Sequence, residues 1–292
     1  MDHSSFDSNK TVVFTVVNNQ YVRLAAAWAT GVRESTGLDP LLICTDPASY
    51  RQLTKAGFRC DDQFVSSAYS DREKTVWKDS GFDSDSATHA ISLKFPSALS
   101  YLEQGQNVIF SDADAIWLKN PFPELPSNAF DLAFQPGSFP RGNKEAWGFA
   151  ICTGFFALRA NDATRRLCAE LVDAFAGDDQ ICMNQHLLEN YDLEWEKRPE
   201  GWEHCDLETG WVTPVSGQSR LNGLKLAALP HAKFQRHGTN RDCVKHAIIC
   251  HPNSPKSEKK KFKAFKKLSI SLKVPARLKV SGKVQNFLQS FR

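Results

Sequence analysis

No apolar run in the 292 residues approaches the roughly 20 that a membrane helix needs, so the sequence offers no spanning segment. Met1–Lys10 is polar and lacks the apolar core of a signal peptide, so the chain is expected to be soluble, with nothing directing it to export. The eight cysteines include no Cys-x-x-Cys pair, which removes the usual redox and zinc-ribbon spacings and favours buried free thiols. Cys243, His246, Cys250 and His251 fall close together, but structural zinc normally needs a loop between two ligand pairs, so zinc is not expected there. Internal repeats are absent. Acidic charge nearly vanishes from Lys256 onward, where 12 Lys/Arg face the single Glu258, giving +11 against −8 for the remainder. A basic tail on an acidic body suits a solvated arm, an anionic partner or an anionic membrane surface. Phe262, Phe265 and Leu268 sit at helical spacing among its lysines, which fits an amphipathic helix, with packed or solvated C-terminal structure the favoured reading. The absence of aromatic platforms in a basic groove pattern argues against nucleic acid.

What is present is a chain of alternating signals. Thr11–Val17 is a β-branched run ended by Asn18-Asn19, a good first strand. A helical pattern follows over 21–33, then a short strand Leu41–Cys44. Pro47 suits the first turn of a helix reaching Lys55. Residues 89–104 read as helix, with a kink or late start at Pro96 and a stop at Gly105. Strands are expected at 108–111, 130–134 and 149–158, and Asp162 is placed to cap a helix ended by Gly177. Strand and helix in this order imply an α/β fold with a mostly parallel sheet covered on both faces.

The most informative stretch is Asn107–Phe122. Val108-Ile109-Phe110 stops at Asp112 and Asp114, and Ala115-Ile116-Trp117-Leu118 follows before Asn120-Pro121. Two carboxylates delivered from the end of a buried strand make a rigid oxygen site for a hard divalent cation, and that end of a strand is where α/β sheets bind ligands. The competing reading is a polar turn. Asp83 and Asp85 repeat the Asp-x-Asp spacing among serines with no strand before them, and read as a solvated loop.

The run Val108–Pro121 resembles the nucleotide-diphospho-sugar transferase family of GT-A glycosyltransferases, and within it glycosyltransferase family 77, which includes rhamnogalacturonan xylosyltransferases and extensin arabinosyltransferases. The resemblance extends upstream to Lys94 and to Leu102-Glu103-x-Gly105. It extends downstream to Thr153-Gly154-Phe155, to Asp179-Gln180 with Asn184, and to His251-x-Asn253 with lysines after it. It covers roughly residues 11–265. It implies a GT-A-type, Rossmann-like mixed sheet, mostly parallel and flanked by helices. The implied organisation is a polar segment 1–10, a transferase domain 11–255 and a basic tail 256–292.

The resemblance also implies roles. Asp114 binds Mn²⁺ or Mg²⁺ directly, Asp112 binds it directly or through water, and His251 is the third ligand, against the alternative of a packed histidine. Asp179 is the carboxylate that stabilises positive charge on the sugar and Gln180 positions its hydroxyls; the alternative for Asp179 is a helix cap. Val17, Asn18, Asp46 and Ala113 lie where the nucleotide is held, and Lys94 and Lys256, or one of Lys259 to Lys261, approach the diphosphate. Thr153, Gly154 and Asn184 are placed at the substrate. Trp77, Trp147, Trp195, Trp202 and Trp211 could stack on acceptor sugars but more often pack in the core, with Trp202 and His204 the better acceptor-side candidates. The expected activity is metal-dependent transfer from a UDP-sugar to a glycan or glycoprotein hydroxyl, with retention. The alternatives are a non-catalytic nucleotide-sugar or carbohydrate-binding module and a membrane-surface scaffold. Family members of the Golgi lumen carry an N-terminal anchor that is absent here, so a trimmed form would belong there and a full-length one in the cytoplasm.

Overall fold

The computed structural model describes residues 6–62, 89–126, 130–196, 213–236, 244–252 and 257–278. Its centre is a nine-stranded sheet. In chain order the strands are β1 (Thr11–Val17), β2 (Leu41–Cys44), β3 (Arg59–Asp62), β4 (Asn107–Ser111), β6 (Leu132–Gly137), β7 (Ala150–Leu158), β8 (Leu193–Trp195), β9 (Val215–Ser219) and β10 (Lys225–Ala228). They lie in the order β3-β2-β1-β4-β7-β6-β10-β9-β8. The pairings make β7 and β9 run against the other seven, so the sheet is mixed but mostly parallel. A second sheet of three short strands joins β5 (Ile116–Trp117), β11 (Phe234–Gln235) and β12 (Ile249–Cys250).

β1 shows why both faces are covered. It is buried along nearly its whole length, as expected of a central parallel strand. Val13 and Val17 face the core shared with α1 (Val22–Thr36), around Trp28 and Ala25. Val12 and Phe14 face the other core, with α3 (Lys94–Glu103), α5 (Asp162–Asp173) and the rings of Phe110 and Phe156. Phe14 meets Phe110 edge-on at 5.3 Å, and Phe110 stacks on Phe156 at 5.2 Å, geometries that add to plain area burial.

The local signals resolve with small differences. The helix expected over 89–104 breaks at Leu93, and α3 starts at Lys94; Pro96 then falls in a first turn, where its missing N–H breaks no ladder bond. Asn161, not Asp162, caps α5: its side chain accepts from Thr164 N at 3.0 Å while Thr164 Oγ1 accepts from Asn161 N at 3.3 Å. α2 (Pro47–Lys55) begins behind Asp46 as its cap. α4 (Arg141–Trp147) and α6 (Asp179–Asn190) complete the body.

Residues 257–278, expected as the start of the basic tail, pack onto that body. α7 (Glu258–Lys267) buries Phe265, and Leu268, Ile270 and Val274 follow it into the core. Leu24 N donates to Glu258 Oε1 at 2.9 Å, and the Arg23 guanidinium lies 5.0 Å from the Phe262 ring centre. Its lysines at 259, 260, 263, 266 and 267 remain exposed. Among the described residues no helix is long and apolar enough to cross a membrane.

Candidate metal centre

β1, β2 and β4 end on one edge of the sheet, and the site grows from there. Asp112 follows β4 directly, and its N–H donates to Gly154 O at 2.7 Å. The Asp112–Trp117 loop is held from below by Ser111, whose Oγ accepts from the indoles of Trp28 at 3.0 Å and Trp117 at 3.1 Å and donates to Ala115 O at 3.2 Å. Trp117 is therefore a buried brace. β5 pairs antiparallel with β12, Ile116 opposite Cys250. One step further along that register places His251 beside Ala115, next to Asp114. Sheet pairing, not sequence proximity, completes the group.

One donor atom from each of Asp112, Asp114 and His251 lies within 4.8 Å of the others. His251 Nε2 is 3.4 Å from Asp114 Oδ1 and 3.9 Å from Asp112 Oδ2. Two carboxylates and an imidazole suit Mn²⁺ or Mg²⁺ chemistry. Two observations favour a cation here. Lys261 of α7 places its ammonium on Asp114 Oδ2, and Lys94 places its own 3.0 Å from Asp112 Oδ1, so positive charge already occupies both carboxylates. Gly154 leaves the space open, since a Cβ there would come 2.2 Å from His251 Cε1 and 2.8 Å from Asp112 Oδ2. Burial would raise the Asp114 carboxyl, but Lys261 and His251 hold it well below the usual range. Burial and Arg236 push the His251 imidazole down, and Asp114 more than reverses them, leaving it raised.

Asp179 joins the group through Lys94, whose ammonium is 2.7 Å from Asp179 Oδ2 and donates to Thr153 O at 3.5 Å. Burial disfavours the Lys94 charge, yet Asp112 and Asp179 raise its pKa above the ordinary value. The cap of α6 is Asp178, which accepts from Ile181 N at 2.8 Å; Asp179, one residue on, is left for the ion pair.

The remaining expected residues divide. Val17 and Asn18 are buried at the end of β1 and Ala113 sits between the aspartates. Asp46 has both carboxylate oxygens engaged, Oδ1 by Ala48 N and Ser49 N and Oδ2 by Asn19 N and Ser49 Oγ, and so ties the end of β1 to α2. Gln180 Nε2 donates to Phe139 O at 2.6 Å. Asn184 is fully buried and pairs with both backbone groups of Ile151, each at 2.8 Å, which fixes α6 to β7 and leaves its amide no reach toward a substrate. Thr153 is buried beside Gly154. Trp147 and Trp195 pack with Phe149 in one aromatic cluster. Lys256, Trp77, Trp202, His204, Trp211, Asp83, Asp85 and Cys243 lie outside the described residues. Tyr21, Gln135, Cys152 and Arg236 were not anticipated. Burial and the charges of Asp114, Asp112 and Glu258 push the Tyr21 phenol up to about 12. Arg236 Nη1 donates to His251 O at 3.3 Å.

The sequence profile of the nucleotide-diphospho-sugar transferases matches residues 38–265, spanning β2 through α7 and with them the whole Asp112, Asp114, Asp179 and His251 group. The chain belongs to that family. An uncharacterized protein of Arabidopsis thaliana is 25% identical over 178 residues. The match takes in 57% of this chain and 51% of the relative, so the chain spans about half the length of the curated relative it matches. Similar solved structures include the bifunctional glycosyltransferase WbbM, with TM-score 0.41 and 10% identity over 60% of this chain and 37% of that one. The galactosyltransferase LgtC, bound to donor and acceptor sugar analogues, gives TM-score 0.39 and 13% identity over 60% and 69%. The glycosyltransferase GlyE of Streptococcus pneumoniae gives 0.38 and 15% over 62% and 43%.

Proposed function

We propose that the chain is a metal-dependent glycosyltransferase of the family 77 type, moving a sugar from a UDP-sugar to an acceptor hydroxyl with retention at the anomeric carbon. The observation that carries this reading is the convergence of Asp112 and Asp114 from the loop after β4 and His251 from the end of β12 onto one cation-sized space, with Asp179 tied to it by Lys94.

Asp112, Asp114 and His251 would hold Mn²⁺ or Mg²⁺, which when bound neutralises negative charge on a departing diphosphate. The protein groups do the rest. The edge formed by Val17, Asn18 and Asp46 receives the base and ribose. Lys261, on a helix whose start is pinned by Glu258, is a point charge beside Asp114 and complements the diphosphate. Lys94 holds the Asp179 carboxylate in place, so that it faces the positive charge that grows on the sugar as the bond breaks. With the departing phosphate accepting the acceptor's proton, no separate protein base is required.

The test is release of UDP from a panel of UDP-sugars in the presence of Mn²⁺. Asp114→Ala should lower the rate by about 10³-fold or more, since a ligand and a charge are lost together, while the far-UV spectrum stays unchanged. Turnover that survives chelation, or an equally active variant, refutes the proposal. Tight UDP binding with no turnover across the panel decides for a binding module instead.

A further inference from the structure

His251 offers a cation only one of its two ring nitrogens, and the other is held from behind. Its Nδ1 lies 3.1 Å from Gln135 Oε1 and 3.9 Å from Cys152 Sγ. Both partners arrive through a single irregularity in the sheet. The register between β6 and β7 shifts between Phe134 and Gln135, so that Phe134 pairs with Phe156 but Gln135 pairs with Cys152, and residues 153–155 of β7 are left without β6 partners. Such a bulge re-aims side chains. Directly opposed residues of an antiparallel pair share a face, which brings Gln135 and Cys152 to the same nitrogen while the looped-out Gly154 passes under the ring.

Gln135 is completely buried, and its Nε2 has no hydrogen-bond partner among the described residues. An amide buried with half its capacity unmet is a poor choice for packing alone. The half that is met is the carbonyl oxygen facing Nδ1. An acceptor there keeps the proton on Nδ1 and leaves the Nε2 lone pair directed at Asp112 and Asp114.

We infer that Gln135 is a positioning residue of the metal centre, setting the ring orientation and the Nδ1–H tautomer of His251 so that Nε2 is the ligating atom. The inference rests on the metal-centre reading above. It assigns Gln135 no contact with donor or acceptor.

Two readouts on the full chain separate it from that reading. Long-range ¹H–¹⁵N spectra of ¹⁵N-histidine-labelled protein report the His251 tautomer without any metal. Calorimetric titration with Mn²⁺ alone reports affinity. In the wild type, recorded at a pH high enough for the imidazole to be neutral, the spectrum should show Nδ1–H. Gln135→Leu should lose that single tautomer and weaken Mn²⁺ binding by about 10- to 100-fold, whereas Gln135→Glu, which restores an acceptor, should keep the tautomer and return affinity to within about threefold. Should the leucine variant not fold, Gln135→Met stands in for it. A leucine or methionine variant with unchanged tautomer and affinity overturns the inference, as does equal loss in the leucine and glutamate variants, which would mean packing alone. Failure of the wild type to bind Mn²⁺ would sink the metal-centre reading, while the tautomer spectra would still decide what Gln135 does.

Discussion

Gly154 is the residue whose identity the site tolerates least. Its backbone carbonyl receives Asp112 N–H, and the space above its Cα is filled by the His251 ring and an Asp112 oxygen. Its φ is not in the left-handed region, so the demand is steric, not conformational. Gly154→Ala places a methyl where Cβ contacts of 2.2 and 2.6 Å to His251 would arise, and neither imidazole nor strand can yield without opening the ligand triangle. The variant should cost about 1–3 kcal/mol of stability and weaken Mn²⁺ binding at least tenfold. A melting curve and a Mn²⁺ titration check both, and wild-type affinity in the alanine variant would show that the ring moves freely. Ser111 illustrates the opposite kind of constraint. Its single oxygen accepts from two buried indoles, so the loop bearing both aspartates is held by a side chain that never faces the cleft.

Helices α5 and α6 are joined at the surface of one core by Glu170. It accepts from Tyr191 OH at 2.6 Å and lies 2.9 Å from His186 Nε2. Partial burial would raise this carboxyl, but Tyr191, His186 and Arg166 hold it below the ordinary 4.5. The folded state therefore binds that proton more weakly than the unfolded chain, and the stabilisation is present in full above the unfolded value and lost as pH falls through the folded one. Glu170→Gln should melt about 1–2 °C below the wild type near pH 7, with the gap closing as the pH falls through the lowered titration of Glu170; the group is partly exposed, which keeps the effect small. A gap that widens in acid would overturn this account. At this scale the sequence was legible wherever apolar runs met clear stops: β1, β2, β4 and α2 lie within a residue of where they are expected. β3, with Arg59, Asp61 and Asp62, and β9, with Ser216, Gly217 and Gln218, were not legible, because edge and half-exposed strands carry polar residues that look like loop. The site divided in the same way. Asp112 and Asp114 announced themselves through their strand, while Gln135 and Arg236 reach His251 only through sheet pairing, which no local pattern encodes. Asp179 was ambiguous until the structure gave the cap to its neighbour Asp178.

For the molecule as a whole, α7 and the residues after it belong to the packed body. Phe265 is fully buried, Leu268 and Ile270 nearly so, and the three share a core with Trp28 and Ile109. Phe265→Ala should therefore cost about 3–5 kcal/mol, and deletion of residues 257–292 should yield a chain that melts far lower or fails to fold. Calorimetry on both checks this; an unchanged melting temperature after deletion would mean the segment rests on the body without supporting it. The same helix carries Lys261 to Asp114, as α3 carries Lys94 to Asp112. These ammonium groups are built-in counter-ions that offset the repulsion between the two neighbouring carboxylates. On the metal-centre proposal, an incoming ion would have to displace these ammonium groups from the two carboxylates, so occupancy of the site and the position of Lys261 would be linked.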